Sequence, residues 1–197
     1  MANDTKNYEN QIVAYLDRIV RAVRRLENAT AVECGLNPLQ LRVLQVLATA
    51  HRPVTVGLAA DELEVTEPTM SDSVRALSLK GLVKKTTDPT DRRIKYLHLT
   101  ASGKHVAARF GEITRLPLEN LEPALLARLS ADLHQLVAGL FGSRLLHHAR
   151  ICMTCAHFSP ASQDQLATCG FLKKKLKTVD LQTDCPDHVY QYAAKIS

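Results

Sequence analysis

Tryptophan is absent from the 197 residues, and aromatic residues of all kinds make up only 5% of them. A core must therefore be aliphatic, and the abundance of Leu and Ala favours helix over sheet. Hydrophobic residues reach 46%, enough for a real core. No window of about 18 uncharged apolar residues occurs, so no membrane span is expected. The polar start, Met1 to Asn10, lacks the apolar stretch of a secretory signal, and a cytosolic protein is expected. There is no phosphate loop, no H-E-x-x-H and no Ser/His/Asp arrangement, so the chain does not read as an enzyme. Permanent disulfides are not expected in a reducing compartment, and the five cysteines need another use. The formal charge of +5 suits a polyanion such as DNA, although ribosomal and membrane-surface proteins share it.

Hydrophobic periodicity predicts a mainly α-helical chain. Ile12, Val13, Leu16, Ile19, Val20, Val23 and Leu26 form one stripe of a helix from about Tyr8 to Ala29. Gly35 and Pro38 break it, with Asn37 as N-cap of a second helix, Leu39 to Thr49. A short helix from Val56 to Glu64 follows. Thr66 then caps a helix that carries Pro68 in its first turn and stops at Gly81. Two such helices joined by a tight turn read as helix-turn-helix. Leu82–Thr87 and Arg93–Leu99 read as two strands around the turn Asp88-Pro89-Thr90-Asp91. Thr100 caps a helix to about Leu116, and a long helix spans about Pro123 to Leu146.

A recognition helix turns its early residues to base edges in the major groove. Those residues here are Thr66, Glu67, Thr69, Ser71, Asp72 and Arg75, a set that also suits a plain solvated helix face. The hairpin behind the helix tips the balance. Arg92 and Arg93 at its tip suit a minor groove, Asp91 is placed to hold one guanidinium, and Lys84, Lys85 and Lys95 suit phosphates.

The runs Leu58-Ala59-Ala60-Asp61-Glu62-Leu63, Val65-Thr66-Glu67-Pro68-Thr69-Met70-Ser71, Lys80-Gly81-Leu82-Val83, Asp88-Pro89-Thr90-Asp91-Arg92-Arg93 and Leu97-His98-Leu99-Thr100 with Gly103 resemble the MarR family of bacterial regulators. The resemblance covers about residues 8 to 146. It implies a homodimer held by the first and last helices, a pseudo-palindromic double-stranded DNA operator, and Arg93 or Arg92 in the minor groove. It also implies repression relieved by an effector, which is a small molecule in the simplest case. The expected organisation is an N-terminal dimerisation helix over 1–36, a winged helix-turn-helix over 37–100, C-terminal dimerisation helices over 101–146, and a cofactor-stapled, Cys-rich extension over 147–197.

Nothing in the resemblance accounts for that extension. Cys152 and Cys155 form a C-x-x-C pair, Cys169 follows after thirteen residues, and Cys185 after fifteen more. Four thiolates complete a ligand set for Zn²⁺ or for an iron–sulfur cluster. One close pair with two distant singles, the last of them followed by Pro186, favours the cluster. Zinc is the alternative, with His188 as a possible ligand, and a metal-free thiol pair is the third reading. His157 is a reserve ligand, and Lys173, Lys174, Lys175 and Lys177 read as a solvated helix face. Cys34 reads as a small buried apolar residue. A regulator whose cysteine site senses redox state, iron or a reactive small molecule is the leading functional expectation. A repressor that answers an aromatic ligand and carries structural zinc comes second. A thiol oxidoreductase using Cys152 and Cys155 is remote, because no βαβ pattern accompanies the pair.

Overall fold

The computed structural model describes residues 2–162 and 165–191. The chain divides into two compact units. One takes residues up to Ala48 together with Thr55–Pro117; the other takes Thr49–Val54 together with Leu118 onward. Residues 192–197 of the expected extension lie outside the described residues.

In the first unit the helices are α1 (Ala2–Glu33), α2 (Pro38–Thr49), α3 (Val56–Glu62), α4 (Glu67–Leu79) and α5 (Ala101–Arg115), with strands β1 (Val83–Thr87) and β2 (Lys95–Leu99) between the last two. Helix α1 outruns its expected bounds at both ends. Asp4 in its first turn complements the helix dipole, and no breaker intervenes before Gly35. The starts of α2, α3, α4 and α5 are capped by side chains. Asn37 Oδ1 accepts the Gln40 N–H at 2.8 Å while Gln40 Oε1 accepts the Asn37 N–H at 3.3 Å, a reciprocal box. Thr55, Thr66 and Thr100 accept from the N–H groups of Leu58, Thr69 and Gly103. Leu41, Val43, Leu44, Met70, Val74 and Leu77 are fully buried and form the aliphatic core that a Trp-free composition requires.

Helix α4 ends in a Schellman turn. Gly81, at φ +69°, donates to Ser78 O and Leu82 donates to Leu77 O. The Leu82 carbonyl then receives the Thr100 N–H at 3.0 Å, so the two ends of the hairpin are tied together. Helix α5 starts so close to this point that a Cβ on Gly103 would lie 2.1 Å from Leu82 O.

Strands β1 and β2 pair antiparallel from Val83↔Leu99 to Thr87↔Lys95. Arg93 and Ile94, expected in the returning strand, belong to the tip instead. Asp88 is the reason. Its Oδ1 accepts the N–H groups of Thr90 (2.7 Å) and Asp91 (2.9 Å) and the Thr90 hydroxyl, and its Oδ2 accepts the Tyr96 hydroxyl at 3.0 Å. The chain is wound around one carboxylate before pairing can begin. Those donors, the Thr90 hydroxyl first, hold the Asp88 carboxyl far below the usual carboxylate range.

In the second unit, α6 (Pro123–Gly142) stops short of the expected Leu146. Arg144 adopts φ 60° and donates to Phe141 O, while Leu145 donates to Leu140 O, closing another Schellman turn before the leucine stripe runs out. The extension is built on short strands β3 (Phe158–Ser159), β4 (Ala167–Cys169) and β5 (Lys174–Leu176), in the antiparallel order β3-β4-β5. Lys174 and Lys175 thus sit on a strand, not on a helix as expected. Leu176 is drawn inward beside Ala167 and Cys152, and the lysines stay outside. The extension docks on α6 through an aromatic run: Phe141 stacks on Tyr190 at 5.2 Å, and His188 meets Tyr190 edge-on at 4.5 Å.

Two outcomes follow. Gly103→Ala gains helix propensity of up to about 1 kcal/mol, but the backbone clash outweighs it, and a net loss of about 1–3 kcal/mol is expected in urea unfolding. Because the Asp88 pKa is depressed in the fold, its stabilisation is present above the unfolded carboxylate range and is lost only as pH falls through the lower folded value. Carboxyl NMR titration is expected to show Asp88 ionised after other aspartates have protonated, and Thr90→Ala is expected to move its midpoint upward.

Candidate nucleic-acid interface and cysteine site

Helix α4 sorts its residues cleanly. Met70, Ser73, Val74 and Leu77 face the core, while Thr66, Thr69, Ser71, Asp72 and Arg75 are exposed. Two of the candidate readers are tied to neighbours. The Thr69 hydroxyl lies 2.8 Å from the Thr66 hydroxyl, and Arg75 pairs with Asp72 at 2.7 Å. Ser71, Asp72, Arg75, Ser78, Lys84 and Lys85 line a groove of about 580 Å³ between α4 and β1. Ser78 was not legible as a groove residue, because its position near the helix end carries no charge or cap signal.

At the wing tip, Arg93 donates from Nε to Asp91 Oδ1 at 3.2 Å and from its terminal nitrogen to Oδ2 at 3.4 Å. The Arg93 side chain is nonetheless 92% exposed. Asp91 thus aims a guanidinium outward without burying it, and such an exposed pair adds little stability. Arg92 is exposed beside it. The sequence between Asp88 and Arg93 therefore builds one device: Asp88 winds the tip and Asp91 points the arginine.

The second site lies in the extension. Cys152, Cys155, Cys169 and Cys185 line one cavity of about 300 Å³. Cys152 and Cys155 straddle a 3-10 turn closed by the Cys155 N–H on Cys152 O at 3.0 Å. Cys169 ends β4, and Cys185 opens the turn to His188, whose N–H returns to Cys185 O at 3.3 Å. The Gln182 N–H points at Cys152 Sγ from 3.2 Å, a donor that favours a thiolate there. Burial pushes the Cys152 thiol up, the Gln182 N–H opposes this, and the nearby Cys185, Cys155 and Cys169 push it further. Burial likewise raises Cys185.

The four cysteine sulfurs share the cavity with Asp180 and Asp187. His188, the expected alternative ligand, is not among the residues lining the cavity. It is buried, its Nε2 lies 2.9 Å from the Thr154 hydroxyl, and burial lowers its pKa. His157 tilts against Phe171 at 5.6 Å and also stays off the cavity. His51, from the α2–α3 connection, does line it. Sequence spacing gave no sign of that, since His51 lies about a hundred residues from Cys152. Cys34, expected to be buried, is only half-buried, in the turn after α1.

The four thiols fit a thiolate-held group. Among the described residues, no three His, Cys, Asp or Glu side chains converge closely enough to grip a single ion. A cavity of about 300 Å³ leaves room for a larger group, given that one water occupies roughly 30 Å³.

The MarR family model matches residues 35–94. No curated protein matches the sequence. Similar solved structures include FabT of Streptococcus pneumoniae in complex with DNA (23% identity, TM-score 0.54, covering 67% of this chain and 96% of that one). S. aureus MepR in its DNA-binding conformation is similar too (23%, 0.54, 65% and 98%), as is CouR from Rhodococcus jostii RHA1 bound to p-coumaroyl-CoA (23%, 0.52, 65% and 92%). About a third of this chain has no counterpart in them. No described helix is long and apolar enough to cross a membrane. Residues 35–94, the span of the helix-turn-helix and the wing tip, are thus similar to the MarR family.

Proposed function

We propose that the protein is a homodimeric repressor with an iron–sulfur cluster on Cys152, Cys155, Cys169 and Cys185, and that its operator affinity depends on whether that site is loaded. One observation carries the reading. Four cysteines spread over more than thirty residues line a single cavity, with a backbone N–H already directed at one sulfur. A bound cluster supplies reactivity toward oxidants, iron supply and small reactive molecules. The chain supplies the thiolates, the shielding by Phe158 and Leu176, and the Gln182 donor.

On DNA, α4 enters the major groove of a pseudo-palindromic operator, with Ser71, Asp72 and Arg75 over the base edges. Lys84 and Lys85 face phosphates, and Arg93, aimed by Asp91, reaches the minor groove with Arg92 beside it. Pairing of two chains covers apolar faces that a single chain leaves open: Ile12, Val13, Ile19 and Val20 on α1, and Leu129 and Leu133 on α6, are each more than a third exposed.

A second reading has an organic effector and a structural zinc. It is favoured by the CouR structure bound to p-coumaroyl-CoA, together with an apolar groove on α6 lined by Leu126, Leu129, Leu133 and Val137.

Protein purified without oxygen is expected to be brown, with iron and acid-labile sulfide in equal amounts and at least two of each per chain, and Cys152→Ser is expected to lose both. Colourless protein with one zinc per chain would replace the cluster with the second reading. Arg93→Ala is expected to cost about 1–3 kcal/mol of operator affinity at fixed salt, measured by fluorescence anisotropy; an unchanged curve removes the minor-groove role.

A further inference from the structure

Residues Thr49–Val54 belong to the compact unit that holds the four cysteines. Two side chains show how. His51 lines the cysteine cavity. Arg52 points into the extension, its side chain only 12% exposed, with Nε 3.6 Å from Asp184 Oδ1.

Asp184 immediately precedes Cys185, and the same oxygen takes Arg150 Nε at 3.3 Å. Arg150 in turn donates to Cys185 O at 2.8 Å and Pro186 O at 2.9 Å, while the Cys185 N–H returns to Arg150 O at 2.9 Å. The Cys185 backbone is thus clamped by Arg150, and Asp184 shares its charge between Arg150 and Arg52. Two residues beyond Val54 the chain becomes α3, the first helix of the helix-turn-helix, with Thr55 as its N-cap.

We propose that residues 49–54 are the element through which the cysteine site acts on the DNA-reading helices, with Arg52 as the positioning residue and His51 as the side chain that meets the site. The inference rests on the four cysteines being a loaded-or-empty site, and it holds for iron–sulfur or zinc. Four thiolates outweigh the charge of the metal they hold, so a loaded site is a net anion beside Arg52 and Arg150. Loading therefore draws the Arg52 arm toward Cys185 and tightens the segment that leads into α3; emptying releases it. A bias of this kind needs only differential attraction in the two states.

The test uses the full chain, loaded with iron and sulfide or with Zn²⁺, and the same protein stripped by a chelator. Operator affinity is measured in both states for wild type, Arg52→Gln, Arg52→Lys and His51→Ala, with metal content assayed on each sample. Wild type is expected to differ between states by about fivefold or more. Arg52→Gln is expected to bind as much metal as wild type but to lose most of that ratio, Arg52→Lys to recover part of it, and His51→Ala to reduce it. Hydrogen exchange provides a second readout: loading is expected to protect residues 49–62 in wild type and not in Arg52→Gln.

Wild-type ratios in both Arg52→Gln and His51→Ala, or loaded wild type with no ratio at all, overturn the inference while leaving the metal site standing. Uptake of zinc alone overturns the cluster reading and leaves the inference to be decided by the same ratios. Uptake of neither overturns both.

Discussion

The DNA-reading unit hangs on the backbone of one residue, Leu82. Its N–H closes the last turn of α4 on Leu77 O, and its carbonyl accepts the Thr100 N–H at the far end of the wing. Helix α5 then begins so near that carbonyl that residue 103 has no room for a side chain. Three elements share this point: the end of α4, both roots of the hairpin, and the start of α5. A hairpin of two five-residue strands is marginal by itself. Here its open end is sewn shut by backbone bonds and its closed end is wound on Asp88, so the tip arginines keep a fixed relation to α4.

Much of this was legible in the sequence, because the devices are local. The caps at Asn37, Thr66 and Thr100 and the stop at Gly81 each act within five residues, and cap and stop signals report such contacts faithfully. The strand onset at Arg93 was not legible. Alternation extends naturally through Arg93 and Ile94, and only the donors gathered by Asp88 show that the loop takes them. The end of α6 failed similarly: the leucines run on to Leu146, and a left-handed Arg144 carries no composition signal. Leu172 and Leu176 stand four apart around the lysines, the spacing of a helix face, so a strand held mainly by one buried leucine looked like a helix.

The cysteine site divides in the same way. Four cysteines in the extension read as one ligand set by number and spacing, and the structure brings all four to one cavity. What spacing cannot reveal is a partner supplied from far away in the chain. His51 and Arg52 sit in a stretch that reads as an ordinary turn, and neither carries a motif. Only the fold shows that one borders the thiols and the other reaches the aspartate next to Cys185.

The interleaving of the two units also bears on modularity. A domain appended at a chain end is joined by one covalent link and can be cut away or grafted elsewhere. Here the second unit owns a six-residue segment embedded in the first, so the chain passes between the units three times rather than once. A truncation after α6 would leave Arg52 without Asp184 and expose a segment whose partners had been removed. Transplanting the extension onto another regulator would fail in the complementary way, because the host would lack the segment that it grips. The extension and the α2–α3 connection are therefore constrained to change together, and substitutions in one are best read as answers to the other.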